Sequence, residues 1–258
     1  MPTYGDVDVT IDADHVATVE INRSPNNFFD ANLISSLADA FEGLDGNPEA
    51  RAAVLCSNGK HFCAGAAFHR DDDSDEGNEV VNRLYAEAVR LFATHTPAVA
   101  AIQGAAIGGG LGVACFADFR VAAPEARFAA NFARLGFHHG FGLTVTLPAI
   151  VGQQATLDLL YTGRRVKGEE AAQLGLADRL VPLDELRAQA NALAVEIAAS
   201  APLAVDSIRP TMRGHLAEAI RIATDHEWTE QTRLRATNDF SEGVRASAER
   251  RKPNFEAS

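Results

Sequence analysis

The chain is short of positive charge: 23 Lys and Arg stand against 35 Asp and Glu, a formal net charge of −12. A protein that wraps nucleic acid needs a basic face for the phosphates, so the balance argues against that class, and an anionic ligand would have to find local cations. Cysteine is scarce. Cys56, Cys63 and Cys115 are odd in number, lack a CxxC pair and sit among small or apolar neighbours, which reads as buried, reduced thiols of a cytoplasmic protein rather than a disulfide framework or a metal site. No apolar run reaches the ~20 residues of a membrane span, and Met1-Pro2-Thr3-Tyr4-Gly5-Asp6 has neither the basic nor the apolar part of a signal peptide. Three motifs are also missing. Counted from Gly108 or Gly110, a GxGxxG pattern ends on Val113 or Cys115; Lys60 is followed by His61, so there is no GK[ST]; and no GxSxG exists. Dinucleotide, P-loop and serine-hydrolase chemistry each lose their marker.

What is present is ordinary in bulk. The 258 residues are 47% hydrophobic and 22% charged, enough chain to bury a substantial core in one large domain or two small ones. Val16 to Ile21 alternates like a strand, and Ala52 to Cys56 and Ala98 to Ile102 are apolar runs of strand length. Between them the spacing predicts helices. One is capped by Asp30, carries Leu33, Ile34, Leu37, Phe41 and Leu44 on one face and ends near Gly46; another runs from about Glu79 to Ala93 with Val80, Leu84, Ala88 and Leu91 inward. The alternation predicts an α/β core with parallel strands over residues 1–200. After Pro202 the pattern is helical, with a long amphipathic helix from Leu216 to Thr237 carrying Ile220, Ala223 and Trp228, and a shorter one after Asp239. Residues 201–258 thus read as a helical region that either oligomerises or packs back on its own core. The acidic run from Asp71 to Asn78 reads as a solvated loop rather than a metal cage.

The chemistry concentrates in two turns, Gly59-Lys60-His61-Phe62-Cys63-Ala64-Gly65-Ala66 and Gln103-Gly104-Ala105-Ala106-Ile107-Gly108-Gly109-Gly110-Leu111-Gly112. Each places small residues and backbone N–H groups where a strand gives way to a helix, and a helix N-terminus adds partial positive charge. Two such turns facing one another would aim a pair of donors at one oxygen, the device that stabilises an oxyanion.

These residues resemble the crotonase (enoyl-CoA hydratase/isomerase) superfamily over nearly the whole chain. Ile21-Asn22-Arg23-Ser24-Pro25 matches its first turn, and Phe62-Cys63-Ala64-Gly65-Ala66 its first oxyanion loop. Gln103 to Gly110 and Ala117-Asp118-Phe119-Arg120-Val121-Ala122 match the second loop and the strand after it. Leu160-Tyr161-Thr162-Gly163, Ala171-Ala172 with Gly175-Leu176-Ala177, and the closing Asp239 to Gly243 and Arg250-Arg251-Lys252-Pro253 complete the likeness. The resemblance implies a crotonase-like ββα spiral core with a C-terminal helical trimerisation region, forming trimers or hexamers. It implies acyl-CoA thioester substrates of lipid or aromatic acid metabolism, with coenzyme A as part of the substrate. It implies no permanently bound cofactor or metal, and no nucleic acid or membrane partner. It assigns the oxyanion donors to the N–H groups of Ala66 and Gly109, and lays the acyl-CoA along Ala64, Ala66, Ala67, Phe68 and His69. A contact from a neighbouring subunit's tail maps onto Phe240 and Lys252, and Arg23, Lys60, Arg70 and Lys252 are candidates for the CoA phosphates.

The resemblance breaks at the acid–base positions. The two glutamates that position water and deliver a proton in the family's hydratases fall on Gly112 and Phe132. The aspartate of some isomerases falls near Gly140, and the usual aspartate after the first oxyanion alanine is Ala67. His138 and His139, in the loop that borders the acyl pocket in this family, are the replacement candidates because histidine titrates near neutrality; His69 and Asp71 are weaker ones. Hydration is therefore in question. The alternatives are isomerisation, C–C hydrolysis or decarboxylation using a histidine or a base on the substrate, or a silent CoA-binding, scaffolding subunit. Phe68, Phe132, Phe137 and Phe141 suggest a bulky or aromatic acyl group.

Overall fold

A computed structural model describes residues 3–66 and 75–258. The strands are β1 (Thr3–Tyr4), β2 (Val7–Ile11), β3 (Val16–Ile21), β4 (Ala52–Ser57), β5 (Ala98–Ile102), β6 (Ala105–Ile107), β7 (Phe119–Ala122), β8 (Arg127–Ala129), β9 (Val166–Lys167) and β10 (Arg179–Leu180). The helices are α1 (Ala31–Asp45), α2 (Asp75–Ala93), α3 (Gly109–Phe116), α4 (Leu143–Thr162, broken at Gly152), α5 (Gly168–Gln173), α6 (Leu186–Ala198), α7 (Pro202–Arg213), α8 (Leu216–Arg235) and α9 (Asn238–Ala248).

Seven strands form one sheet in the order β1-β2-β3-β4-β5-β7-β10, antiparallel up to β3 and parallel from there on. A second, three-stranded sheet has the order β6-β8-β9. The chain alternates between the sheets, β5 then β6, β7 then β8, with helices between; this is the ββα spiral the sequence implied. Parallel strands covered on both faces read as continuous apolar runs, because successive side chains serve opposite cores. In β4, Ala53 and Leu55 join the cluster under α1 and α2, whereas Ala52, Val54 and Cys56 join the cluster covered by α6.

Helix α1 forms as its pattern dictates. The Asp30 carboxylate accepts from the Leu33 amide at 2.8 Å, the helix ends at Gly46, and Leu33, Ile34, Leu37, Phe41 and Leu44 are all buried. Each such side chain stabilises the fold by about 1.5–3 kcal/mol. Helix α2 starts earlier than its apolar stripe predicts: Asp75 to Asn78, read above as loop, form its first turn.

In the C-terminal region α8 packs back on α2 and α4. Helix α7 has no buried residue and exposes Leu203, Ile208 and Met212. It is tied to the core at Asp118, which accepts from Arg209 Nε at 3.1 Å and from Arg213, and also from the Ala98 amide at 2.8 Å. Among the described residues no single helix is long and apolar enough to cross a membrane.

Candidate functional site

The two glycine-rich turns meet. Cys63 donates to the Ala105 carbonyl at 2.9 Å and accepts from the Ile107 amide at 3.1 Å, so the first turn runs alongside β6. One residue beyond Ala64, the Gly65 carbonyl accepts from the Phe29 amide at 3.1 Å. Because the peptide unit is trans and planar, the Ala66 N–H must point the opposite way. At the second turn the Gly108 carbonyl accepts from the Leu111 and Gly112 amides at 3.0 and 3.3 Å, so by the same geometry the Gly109 N–H points out of the N-terminus of α3. Gly65 and Gly108 have φ of +97° and +56°, which a side chain would strain. Among the described residues neither the Ala66 nor the Gly109 amide is given to a protein acceptor, and both residues line one cavity of about 100 Å³.

Buried and half-buried polar side chains hold the turns in place. Asn27 Nδ2 donates to the Asn58 and His61 carbonyls at 2.8 and 2.6 Å, and Gln103 Nε2 to the Ser57 carbonyl at 2.9 Å. His61 Nδ1 accepts from the Ala105 amide at 3.2 Å, which leaves its proton on Nε2. Burial, followed by Arg127 and Lys60, pushes the His61 imidazole below its ordinary value.

The cavity wall is largely aromatic. Phe29, Phe132, Phe137 and Phe141 line it with Leu84 and Leu135, and the polar side chains are Tyr85, Asn131, Gln231 and Arg235. Phe29 packs edge-on to Phe141 at 5.7 Å, and Phe132 lies 5.5 Å from Phe137. These rings fill space rather than leave it: the remaining volume is below the ~150 Å³ cavity that accommodates benzene. The ring of Phe141 also explains Gly112. A Cβ there would lie 2.6 Å from Phe141 Cδ1, so the position of the first hydratase glutamate is covered by an aromatic side chain. Among the described lining residues there is no Asp, Glu or His.

The histidine candidates lie beside this cavity without lining it. Their rings stack at 4.1 Å, and His138 Nδ1 lies 2.8 Å from the His139 carbonyl. Thr144 donates its hydroxyl proton to Glu227 Oε1 at 2.6 Å, so it can only accept from His139 Nε2, 2.8 Å away. Glu227, fully buried on α8, accepts also from the Gly142 and Thr144 amides at 2.9 and 3.1 Å. Burial first, then His138 and His226, pushes His139 down to about 4. Burial pushes the Glu227 carboxyl up, against the pull of its hydrogen bonds. Both shifts oppose the charged form, and the cluster pins the 138–144 loop that carries Phe141.

The other expected residues are scattered. Ala64 lines the cavity and donates to the Asn26 carbonyl at 3.0 Å. Arg23 is held by Asp6 at 2.6 Å and Asp30 at 2.9 Å, which neutralises the charge assigned to a CoA phosphate. Phe240 is buried against Phe137 of its own chain at 5.2 Å; Lys252 is exposed. Ala67, Phe68, His69, Arg70 and Asp71 lie outside the described residues. The three cysteines are free and buried, and burial raises their thiols to about 11 for Cys56 and Cys115 and about 12 for Cys63. Sequence reasoning missed Tyr85 and the α8 residues Glu227, Gln231 and Arg235. Their spacing of four put a polar stripe on the inner face of an amphipathic helix, which was the available signal. Tyr85, hydrogen-bonded to Gln231 and to the Phe141 backbone, has its phenol pushed far up by burial.

Known proteins share this arrangement of chain. The profile of the Enoyl-CoA hydratase/isomerase family matches residues 12–258. A Thermus thermophilus protein that carries an enoyl-CoA hydratase name is 35% identical over 96% of this chain and 100% of its own length. The carnitinyl-CoA dehydratase of Salmonella enteritidis is 31% identical over 92% of this chain and 94% of its own. The crystal structure of an enoyl-CoA hydratase/isomerase from Pseudoalteromonas atlantica superposes with a TM-score of 0.85 at 30% identity, covering 97% of this chain and 100% of that one. With the match running from the first sheet to the C-terminal helices, the chain belongs to the enoyl-CoA hydratase/isomerase family.

Proposed function

We propose that the protein acts on acyl-CoA thioesters, with the thioester oxygen held between the Ala66 and Gly109 N–H groups as it gains enolate charge. The observation that carries this is the pair of amides on one apolar cavity, neither given to a protein acceptor among the described residues. Preorganised donors in a site that excludes water stabilise a developing oxyanion, and one such donor is typically worth ~10²–10³ in rate.

The reaction we favour is one that generates an enolate and reprotonates it, rather than addition of water by paired glutamates. Phe141 covers Gly112, and Phe132 replaces the second acid with an apolar ring. Tyr85 is a titratable group on the wall, and burial keeps its phenol protonated at neutral pH, so it can donate a hydrogen bond but cannot serve as a base. Isomerisation, C–C cleavage or decarboxylation, with the base on the substrate or on a histidine reached from the 138–139 loop, fits that inventory. A second reading, a CoA-binding subunit without turnover, is favoured by the lack of a carboxylate or histidine among the described lining residues. The exposed apolar residues of α7 support burial in a trimer or hexamer. Lys60 and Lys252 remain as cations for the CoA phosphates, and the buried thiols suit a cytoplasmic setting.

The test is a panel in D₂O: α-proton exchange of butyryl-CoA, deuterium uptake on decarboxylation of malonyl-CoA, and loss of the enoyl absorbance of crotonyl-CoA. Enolate formation in either of the first two, with slow hydration, is expected. Fast hydration overturns the reaction reading, and CoA binding with no turnover in any arm hands the case to the silent subunit.

A further inference from the structure

One charged side chain in the cavity has no use in enolate chemistry. Arg235, the last residue of α8, lines the same cavity as Ala66 and Gly109. Its guanidinium carbon lies 5.6 Å from the centre of the Phe137 ring and 5.8 Å from that of Phe240. Its Nε is buried without a hydrogen-bond partner, and among the described residues no carboxylate pairs with it. The neighbouring helix positions behave otherwise: Arg233 pairs with Glu230 at 2.6 Å, and Arg221 with Glu218 at 2.7 Å.

A guanidinium cannot shed its charge in a protein, and it carries five N–H donors in a planar fork. Ring faces offset part of the cost of burying that charge, but they do not accept the in-plane donors. The acceptor that matches an unused fork is a planar, two-oxygen anion. We infer that Arg235 is a specificity residue that binds a carboxylate on the acyl group, so that the substrate is the mono-CoA thioester of a short dicarboxylic acid. The inference rests on the acyl-CoA reading above.

Position sets the reach. Phe132 is the ring beside the second turn, 3.7 Å from where a Gly108 Cβ would stand, and Phe137 packs against Phe132. Arg235 therefore lies two aromatic rings from the oxyanion donors. Its carboxylate belongs at the far end of the acyl chain rather than on the carbon next to the thioester, and a cavity of about 100 Å³ keeps that chain short.

Calorimetric titration of the whole protein with free CoA, and with succinyl-, glutaryl- and adipoyl-CoA against butyryl-, pentanoyl- and hexanoyl-CoA, tests this. At least one carboxylated member should bind tenfold or more tighter than its methyl-ended partner of equal length. Arg235→Met should bring that ratio within threefold of unity. Arg235→Lys, which keeps the charge without the fork, should retain part of the preference, and it decides the matter if the methionine variant does not fold. Equal binding of both series by the wild type, or a preference that survives Arg235→Met, overturns the assignment. Failure to bind even free CoA overturns the acyl-CoA reading instead.

Discussion

Removing the Glu227 carboxylate should cost the fold a large part of its stability, and the structure supplies the magnitude. The side chain is fully buried and accepts three hydrogen bonds, from the Gly142 amide, the Thr144 amide and the Thr144 hydroxyl. In Glu227→Ala the buried Gly142 N–H loses its acceptor at ~1–3 kcal/mol, while the N–H and hydroxyl of the exposed Thr144 can turn to water at a smaller cost. The vacated volume adds to this, whereas relief of a buried charge subtracts, so the net is about 3 kcal/mol. Glu227→Gln keeps the shape. Its oxygen can still serve Thr144, but its amide then faces the Gly142 N–H, and one lost acceptor costs ~1–2 kcal/mol. Urea unfolding should resolve the order wild type, Gln, Ala, with the melting temperature of the alanine variant lower by about 6–12 °C. The pH dependence carries a second check. Burial raises the Glu227 carboxyl in the folded state, so its stabilising contribution is complete below the unfolded value near 4.5 and declines as pH rises through the raised one. The deficit of Glu227→Gln should therefore shrink from pH 4 to pH 7. An alanine variant within 1 kcal/mol of wild type would refute the accounting, and so would a glutamine variant as damaged as the alanine one.

Two further outcomes follow from other parts of the site. In Gly109→Ala the new Cβ would stand 2.1 Å from Phe29 Cζ, so either the ring or the donor must move. Enolate formation should fall ~10²-fold, with CoA affinity within threefold of wild type; undiminished turnover in a folded variant would remove Gly109 from the oxyanion role. His139 is held down to about 4. The fold then gains from its neutral form above the unfolded value of about 6.5 and loses that gain as pH falls toward 4, by a ceiling of roughly 3 kcal/mol. His139→Gln should flatten the stability profile between pH 6.5 and 4, and an unchanged slope would show that another group titrates there.

The amino-acid sequence alone determined what depends on local pattern and backbone freedom. The apolar periodicities of 16–21, 31–45, 52–57 and 98–102 became strands and a helix at those places. Gly65 and Gly108 marked two turns whose conformations other residues avoid. Those are properties of a few neighbouring residues, and neighbouring residues are what a sequence displays. What fills a cavity is different, since its walls come from distant parts of the chain. Phe141 covering Gly112, Phe240 packing under Arg235, and the histidines turning to Thr144 and the loop backbone were decided by long-range packing. The polar stripe of Glu227, Gln231 and Arg235 was visible as a spacing, but only folding α8 against α2 and α4 put a cation into a largely apolar wall with no carboxylate among the described residues to meet it. A charge's chemistry depends on what surrounds it in space, and that is written in the tertiary structure.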